Sequence, residues 1–300
     1  MAQQQEQATP ELSKYSVLNL RATTVRLWVL TKRNPTMMGG IAIVLIMAIL
    51  SVLAPLLNTI DPKEIDPRNR FLSPSLDTWF GSDNVGRDVY SRTIFGTRVS
   101  LIVGFAVAVI ATFSAAMIGV LSGYYRKLDA VIMRFMDGLM SIPSVLLAMA
   151  LMALLGGSVQ NVIIALCVVE TPRAVRIVRS SVLSLREQMF VDAARALGTS
   201  PFRILYLHIL PNTLAPLIVQ ATYIGASAVL VEAYLSFLGA GPPPDVPSWG
   251  NIMAEGRNYI RRAVWVIFFP GLFLTLTVLG INLAGDGLRD NLDPRLRRRM

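Results

Sequence analysis

The chain has 300 residues, 53% of them hydrophobic and only 16% charged, with a formal net charge of +9. It is far more apolar than an ordinary soluble domain, which indicates a protein that crosses the membrane several times. A single cysteine, Cys167, and a single histidine, His208, exclude a disulfide framework and a cysteine-based metal centre, and a zinc site would need mostly carboxylates.

Residues 1–36 are polar, with five Lys or Arg and two Glu. They hold no short apolar core ending in a small-residue cleavage site, so they read as a cytoplasmic tail rather than a signal peptide. Within the tail, 1–7 is expected to be disordered, and 18–30 to form a basic amphipathic helix on the membrane surface.

The first uncharged run, 37–57, is 21 residues long, enough to cross a hydrocarbon core of roughly 30 Å at about 1.5 Å per residue. Residues 58–98 follow with six basic and six acidic residues and with Asp-Pro turns at Asp61-Pro62 and Asp66-Pro67. This segment is expected to be a folded extracytoplasmic loop. Near its end, Ser82 or Asp83 is placed to cap a helix, and Arg87, Asp88 and Arg92 fall at spacings that allow an ion-paired helical face.

The stretch 80–101 also carries a resemblance. Phe80-Gly81-Ser82-Asp83, Gly86-Arg87-Asp88-Val89, Ser91-Arg92, Gly96, Arg98 and Ser100-Leu101 are similar to the signature of the dipeptide, oligopeptide and nickel permeases, one branch of the ABC importer membrane subunits. Only Ser82, where the signature has Thr, departs from it.

The second span is 99–125, uncharged throughout, with Gly104, Ala108, Ala111, Ala115 and Gly119 at three- and four-residue steps that let another helix approach. Tyr124 and Tyr125 suit the interface, and Arg126 and Lys127 begin a short loop. The third span is 137–155, with Pro143 kinking it or marking its start. The fourth, 159–178, contains Glu170, Arg173 and Arg176. Glu170 and Arg173 lie one helical turn apart, so a structural ion pair near the aqueous interface is favoured over a proton relay.

Between the fourth span and the fifth, 208–235, lies a polar, Arg-bearing stretch. Asp192, Ala193 and Ala194 open a run of helix formers that stops at Gly198, and Ser200 and Pro201 start another helix at once. Asp192-Ala193-Ala194, Gly198 and His208-Ile209-Leu210-Pro211 resemble the cytoplasmic-loop pattern of ABC importer permeases: Glu-Ala-Ala, three residues, Gly, nine residues, then Ile-x-Leu-Pro. Every spacing is kept, while Asp192 replaces Glu and His208 replaces Ile. The resemblance implies a coupling loop at about 182–207 that docks a short helix into a separate ATPase, with small Ala193 and Ala194 permitting close approach. On the residues alone, an ordinary amphipathic connector remains open.

Glu232 falls near the far end of the fifth span and either lines a transport route or sits at the membrane surface. The segment 232–256, rich in aromatics, Gly and Pro, is expected to dip into the protein without spanning. It too is similar to the same branch, through Glu232-Ala233, Leu235-Ser236-Phe237-Leu238-Gly239 and Pro247-Ser248-Trp249-Gly250. The sixth span is 263–284, and the ending Gly285-Asp286-Gly287-Leu288-Arg289-Asp290 with Asp293-Pro294 matches that branch as well. A core permease domain, 99–285, is thus expected, followed by a basic tail, 286–300.

With the N-terminus inside, the inner segments of a six-span arrangement hold 19 Lys and Arg and the outer segments nine, which supports cytoplasmic termini and a cytoplasmic coupling loop. None of the lysines Lys14, Lys32, Lys63 and Lys127 follows a glycine, so the chain has no phosphate-binding loop of its own. His208 beside Pro211 reads as a helix-start residue at the interface rather than half of a Ser-His pair. The arginines at 295, 297, 298 and 299 suit anionic lipid headgroups rather than nucleic acid.

The expected fold is therefore an all-α, six-span permease of the type I ABC importer class. The resemblance implies a transport subunit of a prokaryotic inner membrane, not an enzyme, with no cofactor of its own. Its implied partners are a homologous second permease, two ATPases that bind ATP and magnesium, an extracytoplasmic binding protein and a peptide substrate. A nickel-complex importer, or a stand-alone secondary transporter using Glu170 and Glu232, is the alternative.

Overall fold

The computed structural model describes residues 34–57 and 59–292. The expected disordered stretch at 1–7, the surface helix at 18–30 and residues 293–300 of the expected tail at 286–300 lie outside them, whereas 286–292, expected in that tail, belong to the last helix. The chain divides into two units at Pro35, and the fold below is that of the second, from Thr36 onward.

Among the described residues the regular elements are helices: α1 (Pro35–Leu53), α2 (Val89–Tyr124), α3 (Arg126–Met140), α4 (Ser144–Leu155), α5 (Val159–Leu185), α6 (Met189–Ala196), α7 (Pro201–Phe237), α8 (Trp249–Gly256) and α9 (Trp265–Leu292). Four of them, α1 with the turn that follows it, α2, α7 and α9, are long and apolar enough to cross a membrane. The pair α3–α4 makes a fifth if its two bent halves count as one span. Helix α5 is comparably long, at 27 residues, but carries Glu170, Arg173, Arg176 and Arg179.

The third run bends where Pro143 is expected to kink it or mark a start: α3 and α4 meet at 90°. Pro143 is the N-cap of α4; its ring removes an N–H and drives Ile142 away from helical geometry, so the chain must turn there. Arg126 and Lys127, expected in a loop, are the first residues of α3.

The cap of α2 is also neither Ser82 nor Asp83. Asp88 Oδ2 accepts from the Ser91 backbone N–H at 2.8 Å and from its hydroxyl at 2.5 Å, so the helix begins ten residues before the uncharged run. Asp83 instead receives the Val85 and Arg87 N–H groups, both at 2.9 Å. Arg87 and Arg92 do not pair with Asp88; both reach Asp83 and Glu255.

The core is built on α2. Val103, Val107, Ala111 and Ala115 pack with Val162, Ala165, Leu166, Ala174 and Val175 of α5 and with Ile224, Ala228 and Leu235 of α7, all buried. Two glycines set how closely these helices run: a Cβ on Gly119 would lie 2.6 Å from the Val178 Cβ, and one on Gly123 would lie 2.6 Å from the Val182 Cβ. These contacts advance together along both chains, so α2 and α5 are parallel. The segment 232–256 does enter the protein: Trp249 and Ile252 are fully buried, and the Trp249 indole donates to the Thr93 carbonyl at 3.0 Å.

Candidate functional site

The polar stretch between α5 and α7 forms a helix, a tight turn and a second helix. Helix α6 begins at Met189, with Gln188 as an N-cap that makes no side-chain bond. Asp192, expected to open the helix, thus sits within its first turn, beside the positive end of the helix dipole; its Oδ1 accepts from Arg195 at 3.0 Å on the exposed face.

The stop falls where glycine predicts it. Gly198 has φ +75°, Thr199 N–H donates to the Ala194 carbonyl at 3.0 Å, and Gly198 N–H donates to Arg195 at 2.9 Å. This six-to-one and five-to-two pairing satisfies carbonyls that the helix end would leave bare. Ser200 then caps α7 through its carbonyl, which accepts from Ile204 N–H at 3.0 Å, while its hydroxyl makes no capping bond. Pro201 occupies the first turn of α7.

Helix α7 runs unbroken through His208, which is therefore an interior residue and not a helix start. The turn Leu205–Ile209 is widened to π geometry, with Leu210 N–H donating to the Leu205 carbonyl. Pro211 explains it: an α-helix would bring its ring against the Leu207 carbonyl, and a wider turn just before relieves that contact. Asn212 Nδ2 donates to the His208 carbonyl at 2.6 Å, serving an acceptor beside the widened turn.

The whole unit is fixed to the bundle by one apolar cluster. Val191 and Ala194 of α6, Ile204, Leu205, Ile209 and Leu217 of α7, Val178 and Val182 of α5, and Val120 of α2 are buried together, with Leu210 packed against them. Ala194 thus faces inward, whereas Ala193 is exposed; only one of the two small residues is open to a partner. The Arg186 guanidinium donates to the Gly123 carbonyl at 3.1 Å, tying the end of α5 to that of α2.

The outer side of this unit carries an apolar surface that sequence reasoning missed. Met189 is 87% exposed, Leu197 84% and Phe202 77%, with Phe190 and Ala193 beside them. Their signal was present as apolar residues at positions that the buried stripe Val191–Ala194 does not use.

Two carboxylates lie within the bundle. Glu232 is fully enclosed, receiving hydroxyls from Ser236 at 2.8 Å and Ser100 at 3.2 Å. It faces neither an opening nor the membrane surface. Glu170 Oε1 accepts from Ser227 of α7 at 2.7 Å. Glu170 and Arg173 do not form the expected ion pair, and neither lies near a helix end. The register of Gly119 with Val178 and Gly123 with Val182, carried back along α5, sets Glu170 level with Ala111 and Arg173 level with Ser114, the middle of the uncharged run 99–125 of α2. Exposing an arginine to hydrocarbon at that depth costs about 2.5–3.5 kcal/mol on insertion scales.

A helical bundle with several elements able to cross a membrane and a packed polar helix-turn-helix between two of its long helices is the architecture of a polytopic membrane protein. Residues 115–298 match the family model for the binding-protein-dependent transport system inner membrane component, and residues 26–74 match the N-terminal TM domain of oligopeptide transport permease C. The chain belongs to the first of these families, and is thus a transport permease of the inner membrane and not an enzyme. It is 49% identical over 258 residues to a protein of Brucella suis named as a peptide transport system permease, covering 86% of this chain and 87% of that one. It is 43% identical over 267 residues to a dipeptide transport system permease of Alkalihalophilus pseudofirmus (89% and 88% covered) and 40% identical over 280 residues to a di/tripeptide transport system permease of Pseudomonas aeruginosa (90% and 91%). Among solved structures, a chain of the MetNI methionine ABC transporter superposes with a TM-score of 0.55 at 21% identity, covering 67% of this chain and 96% of that one. This likeness identifies the type I ABC importer permease fold.

Proposed function

We propose that the chain is the membrane-spanning half of an ATP-driven peptide importer, working with a second permease, two ATPases that carry ATP and magnesium, and an extracytoplasmic binding protein. The observation that carries this reading is the α6–α7 unit: a rigid helix and turn, packed through Val191 and Ala194, that presents Met189, Leu197 and Phe202 outward. Such an apolar surface on a short, anchored helix suits a groove in another subunit.

In this reading α6 is the coupling helix. Closure of the ATPases around nucleotide displaces it, and because Val191 and Ala194 share one cluster with Val178, Val182 and Val120, the displacement passes directly to α5 and α2. Counting α3–α4 as one span and including α5 gives six spans, with both termini and α6 cytoplasmic. The distribution of Lys and Arg supports that orientation. The peptide class rests on the relatives in the family.

The test is purification of a tagged chain from native membranes in mild detergent, with mass spectrometry of what accompanies it. A second permease and ATPases are expected with the parent chain, and Leu197→Asp is expected to release the ATPases while the permease partner stays. Peptide uptake by the chain alone, driven by an ion gradient, would replace this reading with a secondary transporter.

A further inference from the structure

Helix α5 carries three arginines within two turns, and the bundle treats them differently. Arg176 pairs with Asp137 of α3 at 2.7 Å, and Arg179 forms a two-point pair with Asp129 of α3, with Nη2 2.6 Å from Oδ2. Arg173 is exposed and, among the described residues, has neither a carboxylate partner nor a hydrogen bond. It is also the deepest of the three, level with Ser114 of α2 by the register of the two helices.

Glu170 stands one turn earlier on the same helix. It is close enough to Arg173 to interact through space but not paired with it. Ser227 occupies its Oε1 at 2.7 Å, which fixes the carboxylate and leaves Oε2 open as an acceptor. Two opposite charges are thus held apart in the middle of a membrane protein, one fixed by α7 and one unsatisfied. A charge at that depth faces protein or water rather than lipid, and the arrangement asks for a ligand that carries both charges.

We infer that Glu170 and Arg173 form a site within the passage for the zwitterionic backbone of a short peptide in transit, Arg173 receiving the terminal carboxylate and Glu170 the terminal ammonium. Arg173 is held by no partner among the described residues, so its guanidinium can swing away from Glu170 to admit two residues of extended chain, at most about 7 Å, between them. A planar guanidinium is suited to bidentate carboxylate recognition. Two opposed charges also fix the direction in which the peptide lies and leave its side chains unread, so the site would accept short peptides of varied sequence. The inference rests on the importer reading above.

The experiment uses the whole transporter, co-expressed with its partner subunits and reconstituted in proteoliposomes, with dialanine as the probe. Arg173→Gln and Glu170→Gln, the latter keeping the Ser227 hydrogen bond, are each expected to lower kcat/KM for uptake about tenfold or more while ATP hydrolysis stimulated by the binding protein persists. In a Cys167→Ser background, Arg173→Cys is expected to react with a charged, membrane-impermeant thiosulfonate, and saturating dialanine under turnover is expected to slow that reaction severalfold. Phe113→Cys, at the same depth on an exposed face of α2, is expected to stay unreactive.

Undiminished uptake by both glutamine variants would overturn the inference. So would an inert Cys at 173, which would mean that the second permease or lipid covers it, and so would labelling at the same rate with and without peptide. Absence of ATP-driven dialanine uptake by the wild-type complex is a separate result: it sinks the importer reading and takes this site with it.

Discussion

Arg92 and Glu255, 163 residues apart in sequence, meet through two hydrogen bonds of 2.7 and 3.3 Å. The same guanidinium reaches Asp83 at 2.7 Å, and only 1% of Arg92 is exposed. The cluster clamps the loop before α2 to the end of α8, and the aromatic stack of Phe80 on Phe269 (3.9 Å between centroids) ties the same loop to α9. Breaking a buried pair costs more than replacing it, because the remaining charge stays desolvated. Asp83→Asn is therefore expected to destabilise the protein by about 3–5 kcal/mol, and Glu255→Gln by less, since that side chain is 22% exposed. Arg92→Met breaks the cluster from the other side, leaving the buried Asp83 carboxylate with Arg87 alone, and is expected to cost about as much as Asp83→Asn. Thermal unfolding in detergent reads all three, and equal midpoints for the parent and Asp83→Asn would dismiss the clamp.

Gly198 tests backbone geometry rather than space. A Cβ there would meet nothing within 4 Å, but the residue holds φ +75°, a conformation that costs roughly 1–2 kcal/mol for most L-residues and less for Asn. Gly198→Val is expected to lose ATP-driven uptake while the protein still inserts and the ATPases still turn over. Gly198→Asn is expected to retain most uptake. Loss of uptake by both variants would show that any side chain, not the left-handed turn, is what the site rejects, and full uptake by both would dismiss the requirement for glycine.

The features legible in the sequence were those decided locally. Gly198 and Pro201 announce a stop and a start because few other residues fit those backbone positions, and Pro143 announces a break for the same reason. The start of α6 was hidden because Gln188 supplies no side-chain cap, leaving no local mark at Met189. The clamp of Arg92 on Glu255 was out of reach because helix spacing relates only near neighbours. The spacing of Glu170 and Arg173 permitted a pair, but a hydroxyl from α7 fixes one oxygen of the carboxylate and the Arg173 guanidinium does not reach the other. That choice belongs to tertiary packing.

Lys63 and Asp245 join the loop before α2 to the loop before α8 at 2.9 Å, with both side chains more than half exposed. The Lys63 ammonium holds the Asp245 carboxyl below its ordinary range. A depressed folded-state value means the tie contributes above the unfolded value and is lost as pH falls through the folded one. The window thus lies at or below the normal carboxylate range. Lys63→Met is expected to raise the Asp245 midpoint toward the ordinary aspartate range, and high salt to do the same in the parent protein. The unfolding midpoint at neutral pH is expected to stay unchanged, as for most exposed ion pairs. An NMR titration of Asp245 that ignores both Lys63 and salt would contradict the assignment.

Gly104 and Gly119 both let a neighbouring helix approach α2, but what they approach differs. A Cβ at 104 would lie 2.6 Å from Cγ2 of Val229, with the Gly225 carbonyl oxygen at 3.2 Å. A Cβ at 119 would lie 2.6 Å from the Cβ of Val178, with the Val175 carbonyl oxygen at 3.0 Å. Each alanine substitution is expected to destabilise by about 1–3 kcal/mol, the usual range for overpacking. Val229→Ala deletes the methyl that Gly104→Ala strikes, so this double variant is expected to be more stable than the two single losses predict, with a coupling of about 0.5–3 kcal/mol. Val178→Ala keeps the atom that Gly119→Ala strikes, so the second pair is expected to show little rescue. Unfolding midpoints of the six variants decide it. Equal rescue at both sites would mean that the helices separate as rigid bodies, and that the α2–α5 contact through Gly119 is no tighter than the α2–α7 contact through Gly104.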